Sequence, residues 1–274
     1  MKHDYAFAVA NINTIYKKLL NSSAVERMLA APTAQDATRV LVEMGWHDGE
    51  NIGEILKNEV TRTFEYIESL GGGAVAQLFR VKYDFHNLKV LVKSELSGAK
   101  SEDSLMIDNG NFKADDMKKY ILERDFTNFS EETSAAIREC FENYGKLKDA
   151  QLVDIILDKA MFGELKRLAK AQEDPDIADI IAMLIDMHNI QTFERLKRMD
   201  KPTEVTAKAF VEGGKDSAKY ELYLDNARKE YFGIMPLYAY MAAKENELQN
   251  ARIILICKNN GIENDVIRRS LRGI

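Results

Sequence analysis

The sequence predicts an all-α protein assembled from three similar helical units, and three observations carry that expectation. A short polar motif recurs at helical spacing as Asp84-Phe85-His86-Asn87-Leu88-Lys89, Asp186-Met187-His188-Asn189-Ile190-Gln191 and Glu247-Leu248-Gln249-Asn250-Ala251-Arg252. Each copy reads acid, then His or Gln two positions on, then Asn, then Lys, Gln or Arg two further on, with an apolar residue following at Leu91, Phe193 or Ile254. Internal repetition of this kind decides architecture before any local reading does. Helical periodicity dominates the rest of the chain, and only 4 prolines and 15 glycines punctuate 274 residues. That punctuation is thin for an all-β protein and ordinary for long helices.

The elements follow in order. Phe7, Val9, Ile12, Ile15, Tyr16, Leu19 and Leu20 line one face of a first amphipathic helix. Thr33, after Pro32, is placed to cap a helix from Ala34 to Glu43. Ile52 to Leu70 reads as a longer helix stopped by Gly71-Gly72-Gly73, and Ala74 to Leu96 carries the first motif copy. Ser97-Gly98 and the polar stretch from Lys100 to Asn111 read as a linker. Helices are expected over Asp115 to Arg124, Ser130 to Tyr144 and Leu147 to Gln172. Asp174-Pro175 opens a strong helix with the second copy, since proline suits the first helical position and an acid suits the positive helix end. Asp200-Lys201-Pro202 breaks it near Arg198, and helices near Thr203 to Val211 and Ser217 to Glu230 follow. Pro236 opens the last long helix, which carries the third copy and closes at Asn260-Gly261; Asn264 to Arg272 forms a short final helix. The implied units are 1–110, 111–205 and 206–274. The third is the shortest, so the N-terminal helix is expected to fold back and complete it.

The motif admits two readings. On a helix the acid at i and the Asn at i+3 face the same way. As a binding cluster the trios Asp84, Asn87, Lys89; Asp186, Asn189, Gln191; and Glu247, Asn250, Arg252 would hold a ligand. As a structural device they cap or bridge neighbouring helices and satisfy buried backbone groups, and repetition favours a role that every unit needs for itself. His86 and His188 invite a metal or acid–base reading, but glutamine stands at that place in the third copy and no two histidines lie four apart. His188 follows Ile177, Ile181 and Leu184 around an apolar face, the setting of a core histidine.

Enzyme signatures fail one by one. Gly213-Gly214-Lys215-Asp216 lacks the first glycine and the Ser/Thr of a phosphate loop, and Gly71-Gly72-Gly73 lacks the spaced glycines of a dinucleotide fingerprint. No HExxH, GxSxG or CxxC occurs. Asp115-Asp116 and Glu131-Glu132 read as helix-start charges, and Arg268, Arg269 and Arg272 as a solvated face. No catalytic residue, metal site or cofactor is expected. The formal charge of -6, from 44 acids and 38 bases, argues against a duplex nucleic-acid binder. Cys140 and Cys257 form no disulfide framework. With no signal-peptide pattern and no run of about 18 apolar residues, the chain reads as cytosolic, and the sequons at Asn21-Ser22-Ser23 and Asn128-Phe129-Ser130 then carry no weight.

Tyr83-Asp84-Phe85-His86-Asn87-Leu88-Lys89 resembles the YD-x-HNLK segment of the C subunits of archaeal and bacterial V-type (A-type) ATPases and ATP synthases, relatives of the d subunit of the eukaryotic vacuolar enzyme. The opening Tyr5 to Ile12 resembles the same family. So does the tail, with Pro236-Leu237, Ala242, Lys244-Glu245-Asn246-Glu247, Asn250 to Ile254 and Lys258 to Gly261. Asn11, Ala251 and Asn259 depart from its pattern, where a basic residue, an aliphatic residue and Leu are expected. The resemblance implies three similar helical domains about a pseudo-threefold axis, shaped like a funnel. It also implies a non-catalytic member of the central stalk at the cytoplasmic face of the membrane. The wide side would sit on the proteolipid rotor ring and the socket would receive the shaft subunits, coupling rotation to proton or sodium transport. The competing expectations are a generic helical-repeat scaffold, against which the unequal copy spacing counts, and an enzyme built on His86, His188 and scattered acids.

Overall fold

The computed structural model describes residues 5–98, 105–147, 150–200 and 202–272, and among them every regular element is helical. The chain divides into two compact units, 1–76 with 224–274, and 77–223.

The first unit holds α1 (Ala6–Tyr16), α2 (Ser22–Ala30), α3 (Ala34–Glu43) and α4 (Ile52–Ser69), which surround a long helix from the far end of the sequence. The sequence places a single helix through Leu20; the structure ends α1 at Tyr16 and starts a separate helix at Ser22. The amides of Lys18 and Leu19 turn back to the carbonyls of Ile15 and Tyr16 and tighten the last turn. The Asn21 side chain then accepts from the Ala24 amide and caps α2. Thr33 caps α3 in the same way. Gly71 takes a left-handed φ of 81° after α4, and Gly72 lies so close to Ile67 and Leu237 that a Cβ would come within 2.8 Å of the Leu237 side chain.

The long helix is α12 (Met235–Asn259), and α13 (Asn264–Ser270) folds back against it. Every residue of α12 from Met235 to Ala242 is buried, the signature of a helix with no solvent face there. It packs on α1, α3, α4 and α13. Further along, Ala251, Ile254 and Leu255 join Met28, Leu29, Leu41, Trp46 and Leu56 in one core. Each such leucine, isoleucine or methionine contributes on the order of 1.5–3 kcal/mol by its removal from water. Gly261 closes the helix with φ 69°.

The second unit holds most of α5 (Gly73–Ser97), then α6 (Ala114–Glu123), α7 (Glu131–Leu147), α8 (Ala150–Ala171), α9 (Pro175–Arg198) and α10 (Thr203–Ala209), followed by a 3₁₀ turn at Ser217–Lys219 that leads into α11 (Tyr220–Ala227). Asp174 caps α9 and Pro175 takes its first position, as the dipeptide predicts. Helix α8 packs between α7 and α9, with α10 against both α8 and α9. Of the stretch read as a linker, residues 99–104 lie outside the described residues, as does Lys201 of the later breaker. Residues 105–112 are no free linker: they lie along α5 and are bonded to it.

Candidate functional site

The motif copies lie on α5, α9 and α12, and in each the Asn does the same thing. Asn87 Nδ2 donates to the Ile107 carbonyl at 2.7 Å, and the Ile107 amide donates to Asn87 Oδ1 at 2.9 Å. Asn189 exchanges the same pair with Val211 at 2.8 and 2.9 Å. Asn250 exchanges it with Arg272, also at 2.8 and 2.9 Å. A primary amide carries donors and an acceptor on one short stem, so it can satisfy both backbone groups of one residue. An acid, a lysine or an apolar side chain could satisfy at most one. Asn87 is fully buried, and Asn189 and Asn250 nearly so.

The acid three residues earlier adds a second hold on the same helix face. Asp84 accepts from the Phe112 amide at 3.1 Å and from Asn111 Nδ2 at 2.8 Å. Asp186 accepts from the amide and hydroxyl of Ser217 at 3.0 and 2.7 Å. Glu247 Oε1 accepts from the Leu20 amide at 2.9 Å. In the first and third copies the bonded amide lies two residues before a helix, α6 or α2; in the second it opens the 3₁₀ turn. Each carboxylate therefore fixes the point where a helical segment begins.

A glycine lies against each of the first two acids. A Cβ on Gly110 would come within 2.1 Å of Asp84 Oδ1, and one on Gly214 within 3.3 Å of the Asp186 backbone. Gly214, rejected as part of a phosphate loop, thus has a packing role, and the Lys215 amide beside it bonds to the Ala182 carbonyl at 3.0 Å.

The remaining motif residues diverge. His86 Nε2 lies 2.9 Å from the Leu105 carbonyl. His188 is half-buried, with Nε2 3.4 Å from Thr192 Oγ1 and its ring 5.0 Å from that of Phe162. Burial holds its imidazole below the ordinary value. Lys89 pairs with Asp158 of α8 at 2.5 Å. Gln191 and Arg252 are exposed. The electrostatics also differ between copies. Burial pushes the Asp84 carboxyl up to about 6, against the pull of its amide donors. Asp186 goes the other way, lowered by the Ser217 hydroxyl and amide.

Glu59, which the sequence reading passes over, and Lys244, which it quotes only within the tail that resembles the family, join the third copy. Lys244 Nζ contacts Glu59 at 2.5 Å and also Glu247, and all three side chains are buried. Its ammonium lies 4.8 Å from the Trp46 ring centroid. Glu59 in turn meets Arg62 at 3.0 Å. This alternating row of charges joins α4 to α12. The one available signal was the Lys-x-x-Glu spacing of Lys244 and Glu247.

The amide pairs and carboxylate contacts of the clamps tie each motif helix to backbone elsewhere in the chain. Among the described residues no group of three or more His, Cys, Asp or Glu is placed to hold a metal. No described helix is long and apolar enough to cross a membrane.

The family model described as ATP synthase (C/AC39) subunit matches residues 8–221 and 206–270. The C subunit of the V-type sodium ATPase of Enterococcus hirae is 24% identical over 267 residues, covering 80% of this chain and 81% of that protein. The C subunit of the A-type ATP synthase of Methanosarcina acetivorans is 21% identical over 340 residues, covering 98% and 92%. With the match running through all three motif copies, the chain belongs to the ATP synthase (C/AC39) subunit family.

Proposed function

We propose that this chain, a subunit of a rotary V/A-type ATPase, is the non-catalytic part of the central stalk that joins the rotating shaft to the membrane rotor ring. The observation that carries the reading is the family match over residues 8–221 and 206–270. The physics of the fold supports it. A torque coupler must be stiff, and each motif helix here is tied at two points, by amide pair and carboxylate, to another stretch of chain. With the motif's amides and acids engaged inside the protein, partner contacts fall to helix ends and loops, where binding surfaces usually lie. The three clamped helices are read as the centres of three similar units. The contact with the ring at the cytoplasmic face is largely polar and salt-sensitive, and a separate surface takes the shaft.

The test is native mass measurement of the purified chain mixed with the shaft subunits and, separately, with the detergent-solubilised ring. A stoichiometric complex with both is expected, the ring complex weakening as salt rises. Association with neither partner overturns the reading.

A further inference from the structure

The third clamp differs from the others in where its second strand of chain comes from. In the first copy the Asn and the acid hold residues 107 and 112, and in the second 211 and 217, each pair on one short stretch just downstream. In the third, Asn250 holds Arg272 downstream, whereas Glu247 holds Leu20, 227 positions away. One turn of α12 thus gathers two remote parts of the sequence into the place that one stretch fills elsewhere.

We propose that the segment around Leu20 is a strap that closes the third copy, with the Glu247 carboxylate as its latch. The contacts on either side run the same way. Ahead of the latch, Tyr16 meets Tyr240 edge-on with centroids 6.0 Å apart. Behind it, Lys258 Nζ donates to the Ala31 carbonyl at 2.6 Å, and Arg268 of α13 pairs with Glu26 of α2 at 2.8 Å. The α1–α2 segment is therefore fastened along α12 and α13 from Tyr16 to Ala31, and Leu20 packs onto the core formed by Val25, Met28 and Leu255. Of the polar side chains in these fastenings Glu247 is the buried one, and its second oxygen is held by Lys244. The strap joins the start of the described chain to its last helices, so the first unit is closed by contacts that no local segment could form alone. The inference does not rest on the rotary role.

Amide hydrogen exchange on the full chain tests it, comparing the wild type with Glu247→Ala. Loss of a buried, charge-assisted bond is expected to speed exchange across residues 17–25 at least about tenfold. Residues 105–112 and 209–217 should keep their wild-type rates. Tryptic cleavage at the exposed Lys17 and Lys18 should quicken in parallel. Should Glu247→Ala fail to fold, Glu247→Gln keeps an acceptor for the Leu20 amide and drops the charge, and a rise of about threefold confined to residues 17–25 is expected. As an internal control, Asp186→Ala should speed exchange at Ser217 and leave residues 17–25 alone. Unchanged exchange at 17–25 in a folded Glu247 variant, or a rise spread evenly over the chain, overturns the proposal.

Discussion

Asp84 and Asp186 stand at the same place in the motif, accept from the same kinds of donor, and lean in opposite electrostatic directions. Asp84 is buried and raised to about 6, whereas Asp186 is more open and lowered. Beside them, Asn87 and Asn189 make the same two bonds at nearly the same lengths. Repetition has kept the geometry and let the proton affinity drift. A site selected for proton transfer or metal binding would be expected to do the reverse, because its chemistry depends on protonation state. The two copies together argue that the motif's job is to hold backbone.

The sharpest way to break that comparison is to delete the amides. Asn87→Ala leaves the Ile107 amide and carbonyl without their partners, and Asn189→Ala does the same to Val211. Each should cost about 3 kcal/mol, roughly two hydrogen bonds and their desolvation, read from urea unfolding of the full chain. Both sites lie in the 77–223 unit, so their effects are directly comparable. Values within about 1 kcal/mol of each other would sustain the equivalence. A cost at one site and none at the other would show that the copies do different work.

The acids predict opposite slopes with pH. Because folding raises the Asp84 carboxyl from 3.8 to about 6, its charge costs nothing below the unfolded value. The cost grows as pH climbs between about 4 and 6 and is complete above that. The linkage is worth about 3 kcal/mol, and Asp84→Asn should flatten the thermal midpoint across this window. Asp186 is lowered, so its contribution is present above the ordinary aspartate value and disappears as pH falls through the folded one. Asp186→Asn should therefore matter at neutral pH and fade in acid. Two profiles of the same sign would refute the contrast.

Much of the fold was legible in the sequence, and the losses have physical causes. Thr33, Asp174-Pro175 and Gly261 announced helix ends because caps are local chemistry. The start of α2 was missed because Leu19 and Leu20 continue the apolar spacing of α1 and no glycine or proline marks the break. Its cap, Asn21, looked like a sequon instead. The clamp residues themselves stood out by repetition. What they clamp did not, since the bonded partners lie 20 to 31 positions downstream in two copies, and in the third one lies 22 downstream and the other 227 away. Residues 105–111 read as linker because Asn and Gly favour turns; the same small polar residues also fit against a buried carboxylate. Glu59, and the buried pairing of Lys244 with it, are not legible in the sequence because charges on helices usually face water.

The smallest predicted effect separates how closely each copy is packed. At Gly110 an added methyl would fall on Asp84 Oδ1, whose carboxyl is already fixed by Asn111 and Phe112 and has little room to swing. Gly110→Ala should therefore cost about 1–2 kcal/mol, the range of a modest overpacking strain. At Gly214 the methyl would lie 3.3 Å from the Asp186 backbone, tight but relieved by a shift of a few tenths of an ångström. Gly214→Ala should cost under about 1 kcal/mol. Thermal unfolding of both variants at pH 5 and pH 8 distinguishes strain from electrostatics. The methyl at Gly110 crowds the ionised carboxylate's donors, so its cost should be larger at pH 8, where Asp84 carries its charge and needs those donors most. A cost at Gly110 that is equal at both pH values would place the strain in the backbone and detach the glycine from the clamp.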